Sequence, residues 1–144
     1  MKAPTRVFAL LCCMLLALAA HAAGPTGPVK VVYHFVSGPE QASEGLRYIR
    51  NHLEVEPKAQ IVVVAHARGV DFLLKNAKDP NGNRYEDIVE NLANQGVKFA
   101  VCEITLRERN LKREQFIADL SYVPSGVAEI ARLQQREGYA YLKP

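Results

Sequence analysis

Three short runs of almost wholly apolar, largely β-branched residues constrain what this chain can fold into. Val29 to Val36 (VKVVYHFV), Gln60 to Ala65 (QIVVVA) and Val97 to Cys102 (VKFAVC) lack the in–out alternation of a sheet with one wet face. Such runs are strands buried on both faces of a parallel sheet. The intervening stretches supply the crossovers that parallel strands require. Glu40 to Leu53 places Leu46, Ile49 and Leu53 on one helical stripe, and Pro57 ends it. A further helix starts near Gly69 and carries Val70, Phe72, Leu73 and Leu74. Asp79-Pro80-Asn81-Gly82-Asn83 is dense turn chemistry and marks a surface loop. Tyr85 to Gln95 reads as the next helix, stopped by Gly96.

Beyond the third strand the pattern predicts a short helix over Leu111 to Leu120, a short strand at Tyr122-Val123, a helix from Val127 to Glu137 ended by Gly138, and a last strand at Tyr139 to Tyr141. Alternating strands and helices give an α/β layered domain with a mostly parallel sheet of about five strands. The order of the strands in the sheet is not contained in this pattern.

The first residues have a different character. Lys2 and Arg6 precede an apolar stretch from Val7 to Ala20, and Ala20-His21-Ala22 has the small-x-small form of a cleavage site. We expect residues 1–22 to be a secretory signal peptide, 23–28 a flexible lead-in and 29–144 the folded domain, with a periplasmic destination. Residues 23–144 hold 16 Lys and Arg against 15 Asp and Glu, so the formal charge falls from +3 to near +1. That balance offers no basic face for nucleic acid, and after cleavage no segment is left for a membrane. Cys12 and Cys13 depart with the leader, and Cys102 is the single remaining thiol. Alone in an oxidising compartment, it is buried and inert, paired between chains, or reactive.

In an open parallel sheet, ligand sites form at the carboxyl ends of the strands. His34 lies on the first strand, His66 just after the second and Cys102 at the end of the third. A helix opening after Cys102 would favour the thiolate, as would Arg107, Arg109, Lys112 and Arg113, while Glu103 would oppose it. The other reading makes Cys102 a small buried hydrophobe. His34 is equally the form of a hydrogen-bonded core histidine. His66 sits in the corner Ala65-His66-Ala67-Arg68-Gly69, where Arg68 and the N–H groups around Gly69 could receive an anion, or where the histidine simply caps the turn. A metal held by His34, His66 and Cys102 is conceivable, since imidazole and thiolate suit zinc or copper, but their wide, irregular spacing is a weak signal for one. There is no G-x-G-x-x-G, no P-loop and no nucleophile elbow, so dinucleotide, nucleotide and serine-hydrolase chemistry lack sequence support.

The residues together resemble the DsrE/DsrF-like proteins. The likeness runs through Val31-Val32-Tyr33-His34, Val64-Ala65-His66, Gly69-Val70, Leu73-Leu74, Gly96 to Phe99 leading to Cys102 with Thr105-Leu106 behind it, and Val123 to Glu129 through Leu133-Gln134 to Gly138 to Tyr141. It implies a three-layer α/β/α sandwich, a homo-oligomer, and sulfur relay through a cysteine persulfide that maps onto Cys102. Ile104 stands where similar proteins often have asparagine, and Ala67 where they often have glycine. The implied function is an exported sulfur carrier, rather than a turnover enzyme, with no bound cofactor. Cys102 would be the nucleophile with His66 and then His34 assisting proton transfer; Arg68, Gly69, Thr105, Arg107 and Arg109 form the expected ligand-binding set. Its expected partners are sulfur-donor or acceptor proteins or small sulfur compounds. The alternative is a small-ligand or metal-binding assembly module in which Cys102 only packs.

Overall fold

The computed structural model describes residues 27–144. The expected leader with Cys12 and Cys13, and all of the lead-in before Gly27, lie outside the described residues. Five strands form one sheet: β1 (Lys30–Phe35), β2 (Gln60–Ala65), β3 (Lys98–Cys102), β4 (Ser121–Val123) and β5 (Ala140–Leu142). Their order is β4-β3-β2-β1-β5, and every pairing is parallel. The helices are α1 (Pro39–Val55), α2 (Tyr85–Asn94), α3 (Glu103–Glu108) and α4 (Gly126–Glu137), with 3-10 turns at Ala67–Leu73 and Arg113–Gln115.

The two faces follow from this connectivity. Crossovers of one hand put the segments after β1, β2 and β3 on one face, since each step moves the same way along the sheet. The return from β4 to β5 runs the opposite way and carries α4 to the other face. The packing agrees. Val31, Tyr33, Phe35, Ile61, Val63, Ala65, Phe99 and Val101 join α1, α2 and the 67–73 segment in one core, whereas Val32, Val62, Val64 and Ala100 meet Ile130, Leu133 and Tyr139 in a second. A buried side chain of this size contributes roughly 1.5–3 kcal/mol. Strands apolar on alternate positions toward both layers are what the uninterrupted runs require.

Two elements differ from expectation. The segment near Gly69 is a 3-10 turn starting at Ala67, and Leu111 to Leu120 is not a helix. The backbone there is recruited by its neighbours: Ile117 N–H donates to Leu73 C=O at 3.0 Å and Lys75 N–H to Gln115 C=O at 2.9 Å. Only one 3-10 turn survives, and Phe116 and Ile117 enter the first core from extended chain. The helix comes earlier, as α3, and Asn110 with φ of 52° closes it. Gly138, with φ of 72°, ends α4 in the left-handed conformation and turns the chain into β5.

Candidate functional site

The sheet register brings the sequence candidates together on the face that α4 covers. Ala65 pairs with Val101, so the next position in each strand sets His66 opposite Cys102. His34 pairs with Val64, two residues before His66, and Tyr141 pairs with Val32, two residues before His34. Side chains two apart along a strand share a face. Tyr141, His34, His66 and Cys102 therefore run diagonally across β5, β1, β2 and β3 toward the carboxyl edge.

The contacts along this file are close. The Tyr141 hydroxyl is 2.7 Å from His34 Nδ1, and His34 Nε2 is 2.6 Å from His66 Nε2. The two imidazoles stack at 4.8 Å between centroids with 22° between planes. Burial, His66 and Lys143 together push His34 down to about 4, and burial with Lys143 also lowers His66. Both rings are neutral near pH 7, and a neutral pair must share one proton between the facing Nε2 atoms.

Cys102 is buried and directly precedes α3. Burial pushes its thiol up, but hydrogen bonds outweigh it: the Gly126, Thr105 and Ile104 N–H groups and the Thr105 hydroxyl bring it below the ordinary thiol value. Gly126 opens α4 above the sheet, with Ser125 as its cap accepting from Ala128 N–H at 3.4 Å. A methyl group on Gly126 would lie 3.2 Å from His66 Cβ and 3.3 Å from Cys102 Cβ. The close approach of that helix start to both side chains needs a residue without one.

Thr105 connects the two loops. Its buried hydroxyl accepts from Ala67 N–H at 2.9 Å while bonding the thiol. Ala67 has φ of 51°, a conformation that glycine takes without strain, and it is gripped at its other end by Arg109, whose Nη1 donates to Ala67 C=O at 2.8 Å. Arg109 Nη1 also lies 2.6 Å from Asp71 Oδ1, a charge contact without an aligned hydrogen bond. Arg109 thus braces the His66 corner.

The expected cationic environment of the thiol is distributed differently. Arg113 pairs with Glu103 and lies over the Tyr122 ring, removing both charges from the balance at Cys102. Arg68 and Arg107 are exposed and enter no ion pair among the described residues. Arg68 reaches back toward Gly38, where an added methyl would come 3.0 Å from Nη2. Gly69 donates its N–H to His66 C=O at 2.9 Å, and a methyl there would meet Phe35 O at 2.2 Å, so close packing against β1 accounts for it. The lowering of the thiol comes from N–H and O–H groups, with no arginine among its causes.

Among the described residues no group of three or more His, Cys, Asp or Glu side chains is arranged to hold a metal. Sequence reasoning did not single out Tyr141 or Gly126 as site residues. The Pro124-Ser125-Gly126 turn marked a helix start, but only strand order shows what that start covers.

Comparisons place this architecture among known proteins. MTH1491 from Methanobacterium thermoautotrophicum, a protein of unknown function, is 30% identical and superposes with a TM-score of 0.71 over 81% of this chain and 99% of its own. The ychN protein from E. coli has the same fold at 18% identity, with a TM-score of 0.68 over 81% of this chain and 99% of its own. No curated protein is a significant match. The model of the DsrE/DsrF-like family matches residues 29–144, the whole of the sheet and its helices, and the chain belongs to that family.

Proposed function

We propose that this protein is an exported sulfur carrier that holds sulfane sulfur as a persulfide on Cys102. The observation that carries the reading is the convergence of three backbone N–H groups and one hydroxyl on a buried thiol, enough to lower it against its own burial. Family membership is consistent with sulfur relay. The same donors that favour the thiolate would hold the negative outer sulfur of a persulfide.

The exchange conserves oxidation state. The Cys102 thiolate attacks the outer sulfur of a donor R–S–SH; a new S–S bond forms on Cys102, the donor's S–S bond breaks, and R–S⁻ leaves to be protonated. Transfer to an acceptor thiol is the same reaction in the opposite direction. The donor and acceptor are proteins or small sulfur compounds, and no cofactor takes part. His66, opposite Cys102, serves the protons, with His34 behind it; Thr105 holds the sulfur, Gly69 shapes the corner, Arg109 braces it, and exposed Arg68 and Arg107 attract anionic sulfur compounds. Cleavage of residues 1–22 would place the protein in the periplasm, where it works as a homo-oligomer free of membrane and nucleic acid.

Treatment of the purified protein lacking residues 1–22 with a sulfane-sulfur donor, followed by intact mass, tests this. The expected result is the gain of one sulfur, absent in Cys102→Ser. No gain, together with Cys102 resisting alkylation until denaturation, would leave the thiol a packing residue and sink the carrier reading.

A further inference from the structure

The sulfur exchange raises a proton question that the sheet answers. Cys102 is only 4% exposed, yet its thiol must lose a proton before attack and a basic leaving thiolate must gain one afterwards. His66 stands opposite it, but His66 Nε2 is committed to His34 at 2.6 Å. His66 Nδ1 has no hydrogen-bond partner among the described residues, and the His66 and Cys102 Cβ atoms flank Gly126 together, so Nδ1 is the ring nitrogen available to the sulfur site. At the far end of the pair, His34 Nδ1 is held by Tyr141, which is 40% exposed on the edge strand. Among the described residues, Lys143, two residues after Tyr141, is the charged group that bears on both rings, and α4 turns Gly126, Ile130 and Leu133 inward, none of them titratable.

Resting on the carrier reading of Cys102, we propose that Tyr141, His34 and His66 form a proton wire between solvent at the β5 edge and the sulfur site, conducting without charging either imidazole. In one state Tyr141 O–H donates to His34 Nδ1, His34 Nε2–H donates to His66 Nε2, and His66 carries its one ring proton on Nδ1. When R–S⁻ leaves, it takes the Nδ1 proton. His66 Nε2 then takes the proton from His34 Nε2, His34 Nδ1 takes the Tyr141 proton, and solvent returns one to the phenol oxygen. Each ring is neutral before and after, with its tautomer reversed. Ionisation of the next Cys102 thiol runs the shift outward and restores the first state. One proton enters and one leaves per transfer. Lys143 and burial disfavour an imidazolium at either ring, which is why a concerted shift suits this pair better than stepwise protonation.

The discriminating probe is the leaving group. A dialkyl disulfide expels a basic thiolate that needs a proton, whereas an aryl disulfide expels a weakly basic one that does not. Rates of Cys102 exchange with both are measured in the wild type and in Tyr141→Phe, which removes one hydroxyl from a half-exposed ring. Because thiol ionisation is at equilibrium before each exchange and only protonation of the leaving group limits the rate, the wire predicts that the alkyl rate falls by roughly 10²-fold, the lower end for general acid–base assistance, with the aryl rate unchanged. Nitrogen-15 NMR of the histidines at pH 7 should show His34 and His66 each with one protonated nitrogen, and the His34 Nδ1 signal should move in Tyr141→Phe. Equal loss of both rates, no loss of either, an imidazolium at pH 7, or a Cys102 inert to both disulfides overturns the wire. If the alkyl-to-aryl ratio falls as predicted while no sulfane sulfur adds to the wild type, the wire stands and the carrier reading is the one that fails.

Discussion

The two faces of the sheet are built from the same strands and serve different ends. Among the described residues, the face beneath α1, α2 and the 67–73 turn gathers twenty-two buried residues in one cluster, while the face beneath α4 gathers seven. That difference decides where chemistry can sit. The thick side is closed by aromatic contacts, with Phe72 touching Phe35, Tyr85 and Phe99, and its polar contacts join Tyr33 to His52 and Tyr85 to Ser43, apart from the row of site residues. One helix cannot cover five strands, and on the thin side the row from Tyr141 to Cys102 occupies the carboxyl-end positions that apolar packing does not fill.

The comparison breaks first under large truncations. Phe72→Ala in the thick layer should cost about 3–5 kcal/mol in denaturant unfolding, and Leu133→Ala on the inner side of α4 about 2 kcal/mol, because the smaller cluster under a single helix collapses more readily around lost volume. Equal losses would mean that the two layers carry stability alike. Gly126→Ala sharpens the contrast: the added methyl presses on His66 and Cys102, and the expected effect is a loss of about 1–3 kcal/mol with slower alkylation of Cys102.

The thin face also has an acid sensitivity of its own. His34 is lowered to about 4 in the fold from an ordinary 6.5, so below 6.5 the unfolded chain binds the proton that the native ring refuses. Stability from this site is intact above pH 6.5 and lost as pH falls toward 4. Unfolding measured across that window should show a steeper decline in the wild type than in His34→Gln; identical slopes would place the acid sensitivity elsewhere. The smallest effect is expected at the corner. Ala67→Gly relieves a left-handed alanine and should add up to about 1 kcal/mol, offset in part by the entropy of the unfolded glycine. No gain in thermal unfolding would show that the Thr105 and Arg109 bonds already absorb the strain.

What the sequence makes legible follows the same division. The three long strands, α1, α2 and α4 are readable because burial on both faces forces continuous apolar runs, and helices over a sheet need a 3.6-residue stripe. The carboxyl-end rule led to His34, His66 and Cys102, which the register does bring onto one face. Tyr141 escaped because its value depends on β5 returning beside β1, a strand order that periodicity does not encode. Arg109 was read from its charge as a partner of the thiol or its ligand; the fold uses it to grip Ala67 and Asp71. Leu111 to Leu120 failed as a helix for a similar reason, since long-range backbone bonds to Leu73 and Lys75 outweigh local propensity there.

The proposed function depends on an activated thiol on the thin face. The rate of Cys102 alkylation in the folded protein, followed against pH beside a free cysteine under the same conditions, measures it directly. Reaction without denaturant is expected, with a midpoint below that of the free amino acid, because Gly126, Thr105 and Ile104 stabilise the thiolate. A midpoint at or above the free value, or no reaction until the protein unfolds, would contradict it.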